Sequence, residues 1–370
     1  MKKVVVKIGS SSLTSREGGL DHVKIKYYAK ELASLVKEGI QVIFVTSGAI
    51  AAGFKAIGYS QKPSLLHEKQ AAAAVGQALL MQAYQQQLAP YGIGAAQILL
   101  TRSDFSERHH IRNALSTIEE LIRRNYIPII NENDTVAVDE IKFGDNDTLS
   151  ALVANMIKAD KLLIFTDTDG LYTADPFKDE KAERIEVVKS IDAQLMQLAG
   201  DSSSKVGTGG MRSKIEAARI ATRGGVPVFI GKITQENALL KAVNGEIAGT
   251  AFDAASHNLP MKKQWIGFHS KVCGRIYIDQ GAEEALLHRG KSLLPAGVQS
   301  IEGEFHPGDV VEVMNATEHI VGKGVSNYSS RQLKAAAGLS TGDVKQRLEV
   351  HRIEVIHRDE WMTLTDHIEA

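Results

Sequence analysis

Residues 42–53 read VIFVTSGAIAAG. The run begins as unbroken apolar residues and ends in Thr-Ser-Gly, after which small helix formers take over. A strand with one wet face alternates apolar and polar residues, whereas a strand covered on both faces is apolar throughout. The stretch therefore reads as a central strand of a parallel-type sheet, with a helix opening at its end. Ser47 suits the N-cap of that helix. Gly48 and Ala49 leave its N-terminus unobstructed, a place where a carboxylate or phosphate can bind.

The same signature recurs on both sides of it. VVVKIG (4–9), YIPIIN (126–131), LLIFTD (162–167) and VPVFIG (226–231) are further apolar runs. Helical patterns separate most of them. Val23, Tyr27, Leu32, Leu35 and Val36 recur at helical steps, and residues 68–88 are rich in strong helix formers. Strands alternating with helices imply right-handed crossovers and an α/β fold, a largely parallel open sheet sandwiched by helices. VAVDEIKFGDND (136–147) instead roughly alternates polar with apolar and reads as a small inserted hairpin. Near 255–270 the texture turns polar, and short glycine-punctuated segments follow, the mark of a small β-rich module. The expected division is a catalytic domain over 1–255, a linker over 256–270, a β-rich domain over 271–348 and an extension over 349–370.

Bulk properties narrow the classes. The chain has 370 residues, enough for two domains, with 44% hydrophobic and 24% charged residues and a formal net charge of −1. Nothing global favours nucleic acid or a membrane surface. Cys273 is the one cysteine, so no intrachain disulfide can form. Lys7 interrupts the N-terminal apolar run too early for a secretory signal, and no stretch approaches the roughly 20 apolar residues of a membrane span. A cytoplasmic protein is expected.

Ligands of open α/β sheets bind beyond the C-terminal ends of the strands, so the polar residues there carry the chemistry. Lys7, inside an apolar run and before Gly-Ser-Ser-Ser, reads either as a snorkelling lysine or as a charge delivered to an anion. Asn131, Glu132, Asn133, Asp134, Asp145, Asn146 and Asp147 cluster around the expected hairpin, more than helix capping explains, and would be costly to desolvate without a cation, metal or ligand. FTDTDGLYTADP (165–176) is a turn-rich stretch after another strand. GTGGMRSK (207–214) has the glycines and lysine of a phosphate cradle without the P-loop order, and it opens an amphipathic helix. No Ser-His-Asp triad or Cys/His metal motif is apparent. Lysines, carboxylates and a glycine-rich helix start at separate strand ends fit phosphoryl transfer, which needs positioning and cations more than covalent chemistry.

Taken together, VVVKIGSSSLT, VTSGAIAAG, INENDTVA, KFGDNDTLSALVA, TDTDGLYTADP and GTGGMRSK resemble the amino acid kinase superfamily, and within it the glutamate 5-kinase family. GRIYIDQGAEEAL, SLLPAGV, FHPGDVVEV and GVSNYSS resemble a PUA domain. The resemblance implies ATP-dependent phosphorylation of the L-glutamate γ-carboxylate, with Mg²⁺ accompanying ATP, as the first step of proline synthesis. It implies Lys7 and Lys214 as catalytic lysines, with Asp147 orienting them. It implies Ser47, Asp134 and Asn146 as glutamate-binding residues. The nucleotide site would be Lys7, Thr166, Asp167 and the loop Thr208, Gly209, Gly210, Met211, Arg212, Ser213 and Lys214. It further implies inhibition by proline, a homo-oligomer and transient contact with glutamyl phosphate reductase. PUA domains elsewhere often bind RNA, but residues 263–370 carry 12 basic and 15 acidic side chains, the wrong balance for tracking phosphates. Two positions depart from the family pattern: Arg112 stands where an apolar residue is usual, and Ser213 where threonine is commoner. Kinases of acetylglutamate or aspartate are the rival readings, and Asp134 argues for a substrate with a free ammonium.

Overall fold

The valine run at the N-terminus forms β1 (Lys3–Ile8), buried from Val4 onward. In this computed structural model the described residues are 2–15, 18–105, 107–136, 146–174, 179, 181–192, 195–196, 210–254, 263, 266–267, 270, 272–347 and 352–364. The expected hairpin, with Asp145, and the loop residues Thr208 and Gly209 lie outside them. After β1 come α1 (His22–Lys37), β2 (Gln41–Thr46), α2 (Ala49–Gly53), α3 (Leu66–Leu88), β3 (Gly94–Leu100), α4 (Arg108–Arg123) and β4 (Tyr126–Glu132). Next are α5 (Asn146–Met156), β5 (Lys161–Phe165), the short pair β6 (Leu171–Tyr172) and β7 (Arg184–Ile185), and β8 (Val187–Val188). The unit closes with α6 (Met211–Arg223), β9 (Val228–Gly231), α7 (Ala238–Asn244) and β10 (Gly249–Phe252).

Among the described residues, eight strands form one sheet in the order β3-β4-β2-β1-β5-β9-β10-β8. Every neighbouring pair is parallel except β9 with β10. β1 is central, with β2 on one side and β5 on the other. This is where an open sheet leaves a crevice at its strand ends. The core on one face joins Val4, Val6 and Ile8 to Leu32, Leu35, Phe44, Leu80 and Tyr84. Tyr84 meets Phe44 edge-on at 5.2 Å.

The structure departs from the sequence reading at several elements. Asp21 caps α1 through the amides of Val23 and Lys24. In that phase Ile25, Ala29, Leu32 and Leu35 face the core, and Val23, two residues before Ile25, is turned to solvent at 80% exposure. β3 (GAAQILL) and β10 (GTAF) were not expected as strands, because glycine and alanine carry little strand preference. Pairing with β4 and β9 makes them strands.

By Cα proximity the chain divides into two compact units, Met1–Asp104 with Arg108–Asn258, and Phe105–Glu107 with Leu259–Ala370. The second unit holds β11 (Val272–Ile278), α8 (Gln280–Leu287), β12 (Val298–Gly303), β13 (Val310–Met314), β14 (Ile320–Val325), α9 (Ser330–Ala336), α10 (Thr341–Arg347) and β15 (Trp361–Thr363). Its strands form a sheet of order β12-β11-β13-β14-β15. It has its own core, with Ile276, Val313, Val321, Leu333 and Trp361 buried together. Ser329 and Gln332 form a capping box at the start of α9.

Candidate active site

The C-terminal ends of β1, β2, β4 and β5 surround the first turns of α5 and α6. Lys7, near the end of β1, reaches the Oδ1 of Asp147. Lys214, in the first turn of α6, donates to Oδ2 of the same carboxylate at 3.2 Å. The Asp147 side chain is fully buried, and those of Lys7 and Lys214 are 6% and 8% exposed. Among these three groups two are cationic and one anionic, a balance that favours an incoming anion in a low-dielectric setting. The bland account of Lys7 as a snorkelling surface lysine does not hold, since its ammonium is buried against Asp147.

Ser213 braces the trio from the same turn. Its hydroxyl lies 3.2 Å from Asp147 Oδ2 and 2.9 Å from the carbonyl of Gly210. Gly210 is the extended N-cap of α6, with no side-chain cap. Helix N-terminal amides are groups that bind phosphate, and Lys214 stands in the same turn. α5 and α6 pack closely enough for Asn155 to donate to the carbonyl of Ile220 at 2.9 Å. Gly224 allows this, because a Cβ there would lie 2.2 Å from the Asn155 side chain.

A second group of polar residues adjoins the trio. Asn146, the neighbour of Asp147, directs its Nδ2 at the Thr46 carbonyl (2.9 Å), Ser47 Oγ (2.8 Å) and Asn131 Oδ1 (2.9 Å). Ser47 is thus not the N-cap of α2. That place is taken by Gly48 at φ 103°, a left-handed geometry glycine adopts without strain. The Ser47 hydroxyl turns to Asn146 instead. Asn146 Oδ1 is buried with no hydrogen-bond partner among the described residues. Asp134 sits half-buried in the turn just after β4, three residues beyond Asn131.

At the end of β5, the Thr166 amide donates to the Gly231 carbonyl at 3.0 Å and its hydroxyl reaches Asp167 Oδ1 at 3.3 Å. Asp167 is exposed, Met211 half-buried and Arg212 exposed. Burial raises the Tyr28 phenol above its ordinary pKa, an effect the Ser12 hydroxyl opposes and the Asp167 charge reinforces. Among the described residues no group of three His, Cys, Asp or Glu side chains is placed to hold a metal ion. Asp147, engaged by two ammonium groups, is not available as the centre of a carboxylate cage.

Comparison with known proteins now bears on this arrangement. Residues 2–232 match the amino acid kinase family, and residues 274–348 match the PUA domain. The chain belongs to the amino acid kinase family. Over 364 residues it is 48% identical to a glutamate 5-kinase of Bacillus cereus, covering 98% of this chain and 99% of that protein. A glutamate 5-kinase of Geobacillus thermodenitrificans is also 48% identical, with 98% and 97% covered. Among solved structures, a Giardia lamblia carbamate kinase bound to AMP-PNP superimposes with a TM-score of 0.50 at 18% identity, over 69% of this chain and 99% of that one, a likeness of fold.

In this amino acid kinase, Lys7, Ser47, Asn146, Asp147, Ser213 and Lys214 are brought together from four separate segments. Thr166 and Asp167 stand at the neighbouring strand end. Sequence reasoning missed Gln77 and Gln97. Gln77 is 7% exposed and joins Asn131, which is 1% exposed, to Gln97. One signal was present: Ala73, Gln77, Leu80 and Tyr84 share one helical stripe, and a glutamine inside an apolar stripe needs a buried partner.

Proposed function

We propose that the protein is a glutamate 5-kinase, transferring the γ-phosphoryl group of ATP to the γ-carboxylate of L-glutamate to give L-glutamyl 5-phosphate and ADP. The observation that carries this reading is the buried Lys7–Asp147–Lys214 trio beside the inward-facing Asn146 amide. A carboxylate nucleophile is already ionised at neutral pH, so no general base is required. One carboxylate oxygen attacks the γ-phosphorus while the bond from that phosphorus to the β–γ bridging oxygen breaks, and the electron pair leaves with ADP. The obstacle is repulsion between two anions. Lys7 and Lys214 offset it by facing the transferring group, with Asp147 holding both ammonium groups in place. Mg²⁺ would accompany the nucleotide, held mainly by its phosphates and water, and would supply further neutralisation of phosphate charge.

Ser47, Asn146 and Asp134 hold glutamate in this reading, with Asp134 and the Asn146 carbonyl suited to its ammonium. Thr166, Asp167 and the segment from Thr208 through Gly209, Gly210, Met211, Arg212 and Ser213 to Lys214 hold the nucleotide. Proline shares an α-carboxylate and a cationic nitrogen with glutamate, and inhibition would follow from competition for the same groups. A cytoplasmic homo-oligomer that passes its labile acyl phosphate to glutamyl phosphate reductase completes the proposal. No helix among the described residues is long and apolar enough to cross a membrane.

Trapping the acyl phosphate with hydroxylamine tests the reaction. Purified protein with ATP and Mg²⁺ should yield the hydroxamate of glutamate, and much less product from N-acetylglutamate or aspartate. A preference for the acetylated acid overturns the assignment.

A further inference from the structure

We propose that Gln77 is a positioning residue for substrate selection, and that the chain Gln97–Gln77–Asn131 fixes the Asn146 amide with its oxygen toward the substrate ammonium. The inference rests on the glutamate reading of the site and adds residues beyond those assigned there to glutamate.

An amide side chain has a donating end and an accepting end, and flipping it exchanges them. Here the ends are set by backbone groups whose roles are fixed. The amide of Glu132 can only donate, and it meets Asn131 Oδ1 at 2.9 Å. Asn131 therefore presents Nδ2 on its other side, toward Gln77 Oε1 at 2.9 Å. Gln77 in turn presents Nε2 to Gln97 Oε1 at 3.0 Å. At the other end, the carbonyl of Thr46 can only accept, and it takes Asn146 Nδ2, as does Asn131 Oδ1. A flipped Asn146 would set its oxygen against two acceptors. Oδ1 is thus held on the opposite edge, buried and without a hydrogen-bond partner.

A buried acceptor of this kind calls for a donor. In the glutamate reading that donor is the ammonium. An analogue lacking it, glutarate, leaves the oxygen unsatisfied, and sites built to bond a polar group reject analogues that lack it strongly. Gln77 supports the discrimination by adding a second restraint on Asn131, and through it on Asn146, to those of the two backbone groups. Without Gln77 Oε1, Asn131 Nδ2 loses its acceptor, and only the Glu132 amide then holds the Asn131 side chain against Asn146 Nδ2.

The test is the ratio of kcat/KM for glutamate to that for glutarate, measured with KM for ATP in the wild type and in Gln77→Leu, Gln77→Glu and Gln97→Leu. Gln77→Leu should lower the ratio by about 10-fold or more while KM for ATP stays within about twofold. Gln77→Glu keeps an oxygen facing Asn131 and should restore most of the ratio. Gln97→Leu cuts the chain at its exposed outer end and should cost roughly threefold. A folded Gln77→Leu with the wild-type ratio overturns the proposal, as does equal impairment in Gln77→Glu. Should Gln77→Leu not fold, an unchanged ratio in Gln97→Leu overturns it equally. A wild type that does not prefer glutamate over glutarate defeats the ammonium reading itself, a result distinct from failure of the amide chain.

Discussion

A single carboxylate, Asp147, holds both cations of the site, so substitutions at the trio should separate catalysis from stability. Lys214→Ala leaves Asp147 paired with Lys7. Its turnover should fall roughly 10²–10³-fold, as when a donor to developing charge is removed, with a melting temperature close to wild type. Asp147→Ala leaves two buried lysines without this carboxylate and should cost roughly 3–5 kcal/mol of stability as well as activity. Steady-state kinetics together with denaturant unfolding read both outcomes, and near-normal kcat in Lys214→Ala would remove that lysine from the mechanism. At this scale the sequence showed the charged residues but not their partners. Lys7 was conspicuous inside a run of valines, and Asn146 and Asp147 inside a polar cluster. Nothing local distinguished Asp147, the hub, from Asp145 two residues earlier. Gln77 looked like one glutamine among several in α3, since its role depends on Asn131, 54 residues away.

Elements are held by contacts equally distant in sequence. α2 and α3 cross with backbone against backbone at Gly53 and Gly76. A Cβ on Gly76 would lie 1.8 Å from the Ala49 carbonyl oxygen and 2.6 Å from the Gly53 amide. Alanine would raise helix propensity by about 1 kcal/mol, but backbone atoms cannot yield as a flexible side chain does. Gly76→Ala should therefore be destabilising by about 1–3 kcal/mol, and it should raise KM for glutamate, because Gly76 precedes Gln77 and Ala49 follows the Ser47–Gly48 turn. A stabilised protein by urea titration would contradict this. α7 shows the same principle with charge. Glu31, buried on α1, accepts from the amides of Asn237 (2.8 Å) and Leu239 (3.1 Å) at the N-terminus of α7, and Lys161 donates to the carbonyls of Ala242 (2.8 Å) and Val243 (3.2 Å) at its C-terminus. Opposite charges at the two ends complement the helix dipole. Glu31→Ala should cost about 2–3 kcal/mol, the scale of buried hydrogen bonds to a charged group, with kcat little changed. The helix–strand alternation itself was legible, since β1, β2, β4, β5 and β9 are unbroken apolar runs. β3 and β10 were not, because small residues become strands there only through their neighbours.

At the scale of the whole chain, the governing fact is that the described residues of each unit gather a hydrophobic core of their own. One gathers Val4, Leu32, Phe44 and Tyr84 around the large sheet, and the other gathers Ile276, Val313, Leu333 and Trp361. Glycine-punctuated segments announced the β-rich character of the second unit. The sequence showed only weak strand character beyond residue 350, yet Val355, Ile356 and Trp361 are built into the second core and β15 completes its sheet. Trp361 is placed by pairing with β14, and Ile356 by a bridge to Leu293, partners that no local pattern reveals. Separate cores imply separable stabilities, since burial free energy is gained within each core and shared only through what joins them. Leu333, fully buried on α9, is the position from which to measure this. Leu333→Ala should destabilise the second unit by about 2–5 kcal/mol, the lost transfer energy plus the cavity left behind. In calorimetry one transition should move down while the other stays, and KM for glutamate and ATP at 25 °C should remain at wild-type values. A single transition shifting as a whole, with thermal loss of activity moving in step, would mean instead that the two cores unfold as one cooperative body.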